Sequence, residues 1–117
     1  MTRRRCRRGE IWLCKLPSQD GGEISGTRPV LVIQNDIGNQ HAATTIVAAI
    51  TSTLKKYPVT VWLEKGEGGL KQESMANLSQ VFALDRSRLQ RKLGTLDEDR
   101  IWEVNEAISI SLQLVEI

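Results

Sequence analysis

The stretch Thr27-Arg28-Pro29-Val30-Leu31-Val32-Ile33-Gln34-Asn35-Asp36 decides how the rest of the chain is read. Val30 to Ile33 is a short unbroken apolar run, the pattern of a buried strand. Pro29 has no N–H to give to a ladder, so it stands at the strand's first position or on an edge. Asn35 to Asn39 is dense in turn formers and ends the strand. Arg28 is therefore a permanent cation at the start of a rigid element.

Reading outward, the segments on both sides are also strands. Glu10 to Leu16 is the first. Pro17 to Gly26 follows as a loop, and its three glycines, Gly21, Gly22 and Gly26, describe a flap beside something functional. Thr44 to Thr51 is rich in β-branched residues and reads as a further buried strand. Val59 to Leu63 alternates like a half-exposed strand, Gly66 to Gly69 is a turn, and Ser74 to Leu84 holds one or two short strands. Many short strands separated by turns indicate a small barrel or sandwich. The period then changes. Ile101, Val104, Ile108, Leu112 and Val115 recur at helical spacing, with Asp97 as N-cap and Leu96 and Ile101 placed as a hydrophobic staple. A shorter helix is expected over Arg86 to Arg91, capped by Asp85. The fold class is mainly β with helices: a small SH3-like barrel carrying a C-terminal α-helix.

Bulk properties set limits. A chain of 117 residues, 40% hydrophobic and 26% charged, makes one globular domain. We divide it into a basic arm, residues 1–8, and a single domain, residues 9–117. Net charge is +2, but Arg3, Arg4, Arg5, Arg7 and Arg8 all lie in the arm, so the remainder carries −3. The body is not a general polyanion binder. Any polyanion site must be a local patch, with the arm either assisting it or standing as a solvated terminus. No apolar run reaches the roughly 20 residues of a membrane helix, and no h-region follows the basic start. A cytoplasmic protein without membrane contact is expected. Cys6, Cys14 and His41 are too few and too scattered for a zinc site within one subunit, and the cysteines are expected to be reduced. We expect no metal and no cofactor.

Three segments taken together, Arg8-Gly9-Glu10-Ile11-Trp12, the Thr27–Asp36 stretch and Thr45-Ile46-Val47-Ala48-Ala49-Ile50-Thr51, resemble the MazF/PemK family of toxin endoribonucleases. The tail segments Leu96-Asp97-Glu98 and Glu106 to Leu112 are similar too, so the likeness runs from Arg8 to Ile117. The resemblance implies an SH3-like barrel assembled as a homodimer. It also implies cleavage of single-stranded RNA, often messenger RNA, at a short sequence, leaving a 2′,3′-cyclic phosphate and a 5′-hydroxyl. A cognate antitoxin protein is the implied inhibitor.

The residues suit that chemistry. RNA brings its own nucleophile, the 2′-OH, so an enzyme need only orient it, stabilise the added negative charge and assist two proton transfers. Arg28 matches the family's catalytic arginine. A guanidinium stays protonated and donates in bidentate fashion to phosphate oxygens, so its natural role is charge stabilisation rather than proton donation. Thr51 matches the family's catalytic threonine and is suited to orienting the 2′-OH or bonding a phosphoryl oxygen, since a hydroxyl is a weak base.

Three residues are candidate RNA contacts: Glu23 in the flap, where the family's preceding serine is Gly22 here, Gln80 as a base reader, and Tyr57 as a stacking platform or a packing residue. Phe82-Ala83-Leu84-Asp85 stands where the family often has Arg-Thr-Ile-Asp. One arginine contact is lost, and Phe82 is read as core before base stacker. His41 matches no family motif and is read as a surface loop residue. Trp12, Trp62 and Trp102 are read as core or dimer residues, Trp102 as interfacial. Two alternatives stand beside the nuclease. One is a non-enzymatic gyrase poison of the same fold, against which the chain lacks a tryptophan-bearing tail. The other is a degenerate module that docks RNA or antitoxin without cutting.

Overall fold

The computed structural model describes residues 2–16, 26–56 and 58–116. Six strands, β1 (Glu10–Leu16), β2 (Gly26–Val32), β3 (Thr44–Thr51), β4 (Thr60–Leu63), β5 (Ser74–Asp85) and β6 (Leu89–Thr95), form one curled antiparallel sheet in the order β4-β5-β3-β2-β1-β6. Helix α1 (Asp36–His41) joins β2 to β3, and α2 (Glu98–Ser111) closes the chain. The expected small barrel with a packed C-terminal helix is what forms.

Strand alternation gives the sheet two apolar layers. Ile11, Leu31, Ala48, Ile50, Leu63 and Leu78 face the side where α2 lays down Val104 and Ala107. Trp12, Cys14, Val30, Val32, Val47 and Leu89 face the other side. β2 thus sends Leu31 one way and Val30 and Val32 the other, all fully buried, as a run without polar interruption requires.

Four expectations need correction. Asn35 to Asn39 is not merely a turn, because Asn35 accepts a hydrogen bond from the N–H of Gly38 and caps α1. The helix expected over Arg86 to Arg91 is a single 3-10 turn, Arg86–Arg88, capped by Asp85 as foreseen, and the chain then becomes β6. The α2 stripe stops at Ile108: the helix ends at Ser111, and Leu112 and Val115 are 61% and 49% exposed. Ala107 takes the buried position instead. Ser74 to Leu84 is one long strand, β5, kinked where Asn77 pairs with Ala49 and Val81 with Ala48. The three residues between them bulge out of the ladder.

Asp97 accepts from the N–H of Arg100 at 3.0 Å and starts α2 as expected. Arg100 reaches back to the turn Glu67–Gly69, donating from two nitrogens to the two oxygens of Glu67, each at 2.8 Å. That turn lies directly on β6. A Cβ on Gly69 would collide with the carbonyl of Leu93, and one on Gly94 would meet the backbone of Gly68 at 2.6 Å. Gly69 also has φ +78, which favours glycine. Glycines therefore let the segment between β4 and β5 close against the far edge strand.

The end of the deciding stretch is structural. Asn39 donates to the carbonyl of Gln34 and to Asp36, while its oxygen accepts from Gln34 and from the buried hydroxyl of Thr45. Asp36 also accepts from the N–H of Arg8 at 2.7 Å, which holds its carboxyl below the usual range. No buried side-chain polar atom among the described residues is left unsatisfied.

Candidate active site

One end of the sheet collects the strand termini: β1 ends there, β2 begins, β3 and β4 end, and β5 and β6 begin. At this end lies a groove of about 220 Å³. Both Arg28 and Thr51 border it. The β2–β3 ladder runs Val32–Val47, Leu31–Ala48, Val30–Ala49 and stops one residue short of Pro29, which has no N–H to donate. Continued, the same register sets Arg28 opposite Thr51, on the side of the sheet shared by Val30 and Ala49. A cation and a hydroxyl from neighbouring strands are thus adjacent at the rim.

Arg28 is exposed and, among the described residues, has no hydrogen-bond or ion-pair partner. Its guanidinium is free to meet a ligand. Thr51 is half-buried, and its Oγ1 accepts the N–H of Thr53 at 3.1 Å. A lone pair already engaged by a donor makes that oxygen a poorer base, while its own proton remains free to be donated.

The groove holds two further cations, Lys71 and Arg91, with Gln72, Ser52 and Ser74 as neutral polar groups. Among the described residues no carboxylate lines it. Leu13, Pro29, Ile50, Leu70 and Leu93 supply the apolar remainder. In a chain whose body carries a net negative charge, this is a local concentration of positive potential. Sequence reading did not nominate Lys71 or Arg91. Lys71 sits in a turn with no motif, and Arg91 was hidden inside a segment misread as helical.

The other nominated residues lie elsewhere. Gln80 is exposed in the β5 bulge and does not border the groove. Glu23 and Tyr57 lie outside the described residues. Phe82 pairs with Val47 and packs, half-buried, against the second apolar layer, so its role is packing. His41 ends α1 and is exposed, away from the groove. Trp12 is buried and donates from its indole N–H to Glu10 at 3.0 Å. Trp62 and Trp102 are exposed. Cys6 and Cys14 are free and buried, and burial pushes the Cys14 thiol up to about 11 despite nearby Arg88.

Residues 7–112 match the family described as PemK-like, MazF-like toxin of type II toxin-antitoxin system. A relative from Staphylococcus saprophyticus, "Endoribonuclease MazF", is 44% identical over 110 residues, covering 92% of each chain. Among solved structures, MazF (Form-I) from Deinococcus radiodurans is 26% identical with a TM-score of 0.76, covering 92% of this chain and 96% of its own. An endoribonuclease in complex with its cognate antitoxin from Mycobacterial species has a TM-score of 0.82 at 22% identity, covering 96% of this chain and 99% of its own, a likeness of fold.

Proposed function

Because the chain belongs to the PemK/MazF family of type II toxins, we propose that it is a toxin endoribonuclease that cuts single-stranded RNA by in-line attack of the substrate's own 2′-OH. The observation that carries this reading is the unpartnered Arg28 beside Thr51 at a groove bordered by cations and by no carboxylate among the described residues.

The bond changes lie within the substrate and the protons are exchanged with water. The 2′-oxygen forms a bond to phosphorus and gives up its proton to water, the bond from phosphorus to the 5′-oxygen breaks, and that oxygen takes a proton from water. The products are a 2′,3′-cyclic phosphate and a 5′-hydroxyl. Negative charge builds on the non-bridging oxygens as the phosphorus becomes five-coordinate. Arg28 meets that charge with two parallel N–H donors. Thr51, whose oxygen accepts from Thr53 with one lone pair, donates a hydrogen bond to a phosphoryl oxygen or accepts one from the 2′-OH with its second lone pair, and so orients the attack. Neither role calls for a metal ion. The protein acts as a homodimer and is silenced by a cognate antitoxin, in keeping with the antitoxin-bound state of the structural neighbour from Mycobacterial species.

The test is direct. Wild-type protein with a long single-stranded RNA in EDTA should give discrete cuts, with 5′-hydroxyl ends read by end-specific ligation. A 2′-deoxy nucleotide at a mapped site should abolish cutting there. Continued cleavage of that substrate, or cleavage that stops in EDTA, refutes the mechanism. Inhibited DNA supercoiling with intact RNA would transfer the chain to the gyrase-poison alternative.

A further inference from the structure

The groove has more cationic capacity than one phosphodiester uses, and the sheet geometry separates it into two places. Leu13 on β1 pairs with Pro29 on one side and with Arg91 on the other. Pro29 and Arg91 therefore stand two strand spacings apart, about 10 Å. β6 reaches this position through irregularities on both sides of Arg91: its ladder to β1 shifts between Leu13 and Cys14 and again between Ile11 and Trp12. These shifts set Arg91 on Leu13's side of the sheet while Leu89 and Lys92 go to the side of Cys14 and Trp12. Arg28 pairs with Cys14 and so starts from the opposite side to Arg91.

Lys71, next to the buried Leu70 in the turn before β5, borders the same groove as Arg91. Neither Lys71 nor Arg91 has an ion-pair or hydrogen-bond partner among the described residues. Some cations elsewhere are engaged, Arg3 with Asp85, Lys92 with Glu10, and Arg100 with Glu67 and Glu103; what sets Lys71 and Arg91 apart is their place on the groove.

Resting on the nuclease reading above, we propose that Arg91 and Lys71 form a second phosphate subsite that holds the phosphodiester next to the one cleaved at Arg28 and Thr51. Arg28 and Arg91 leave opposite sides of the sheet end on strands about 10 Å apart, though both border the groove. They match two successive phosphates of a strand crossing that end. Arg91 and Lys71 are positioning residues: they bind in the ground state and the transition state alike, so their loss acts on KM.

The experiment uses the full chain and a single-stranded RNA containing a mapped cleavage site, made uncleavable by a 2′-deoxy nucleotide there. Binding is followed by fluorescence anisotropy across a salt series for wild type, R91Q, K71Q and the double variant. Removing both cations should flatten the slope of log K against log salt by about 0.7, the share of one neutralised phosphate in a single strand. Methylphosphonates then neutralise one phosphate at a time. At one position beside the cleaved linkage, the substitution should weaken wild-type binding about tenfold and leave the double variant unaffected. In cleavage, the loss in kcat/KM should appear chiefly as a raised KM. Equal loss in wild type and double variant at every position overturns the subsite, as does a lowered kcat with KM unchanged. Unaltered RNA binding with lost affinity for an acidic peptide would reassign the two cations to a protein partner and also overturns it. RNA neither bound nor cut by wild type overturns the nuclease reading itself.

Discussion

Replacing Arg28 by alanine separates catalysis from folding more cleanly than any other single change. The side chain is exposed and has no partner among the described residues, so its removal breaks no contact within them. Surface changes of this kind stay within about 0.5 kcal/mol, a shift of roughly 2–3 °C in Tm for a domain this size. The catalytic cost is larger. Two charge-assisted hydrogen bonds to phosphoryl oxygens are worth about 1.5–3 kcal/mol each. Part of that exists already when the substrate binds, and only the excess in the transition state raises kcat. An excess of about 3–4 kcal/mol gives a loss of roughly 10²–10³-fold, at 1.36 kcal/mol per decade. Lysine keeps the charge but not the forked geometry, so R28K should fall between wild type and alanine. The assay is single-turnover cleavage of a saturating RNA, with thermal unfolding measured alongside. A loss of less than tenfold in R28A refutes the assigned role. A fall of many degrees in Tm would show instead that Arg28 holds the fold.

Other substitutions address the remaining arguments. Thr51→Ser keeps the hydroxyl and should retain cleavage within about tenfold, while Thr51→Val should lose about 10²-fold at similar stability; equal activity in the two would remove the hydroxyl from the chemistry. Gly69→Ala should cost well over 2 kcal/mol in urea unfolding, because the added carbon meets a backbone carbonyl and the φ is left-handed; an unchanged midpoint would mean that the turn does not lie on β6. Hydrogen bonds from Arg100 hold the carboxyl of Glu67 below its ordinary 4.5, so the pair's stabilisation is complete above that pH and is lost as pH falls through the depressed value. Glu67→Gln should therefore flatten the acid side of the stability profile, and a parallel profile for wild type and variant would deny the pair any part in it.

What could be read from the sequence followed from how local the signal was. β1 and β3 are bounded as expected because alternation and β-branching mark each strand within its own residues. α2 began at Asp97 because a cap is a local device. β6 was missed for a physical reason. Asp85 caps the 3-10 turn before it, and Leu89 and Leu93 are four residues apart, a helical spacing. The ladder shifts around Arg91 turn them to opposite apolar layers, and a bulge leaves no trace in the period of the strand that carries it. Missing β6 also hid Arg91. Lys71 was hidden because its place beside the groove depends on the glycine-mediated closure of a distant turn on β6. Within the deciding stretch, Arg28 could be read only through family resemblance, while the use of Gln34, Asn35 and Asp36 in capping and in the Asn39 network became visible only in the fold.

The arginine-rich arm tests the idea that cationic composition alone identifies an RNA site. Arg3 is bound to Asp85, Arg8 donates to the carbonyl of Ile33 and to Asn105, and Arg86 donates to the carbonyl of Arg4. Cys6 is buried in the second apolar layer. The arm is therefore docked, and part of its charge is already engaged by the protein. It docks where Asp85 pairs with Thr44, seven residues along β3 from Thr51, on the order of 20 Å away at strand rise. At that separation, beyond a Debye length in physiological salt, its field on the cleaved phosphate is largely screened. On the proposed reading, the electrostatic task at the reacting bond falls to Arg28, while Lys71 and Arg91 hold the phosphate beside it. One fixed cation at the reacting bond outweighs five on an arm because transition-state charge is stabilised by donors within bonding distance, not by net charge.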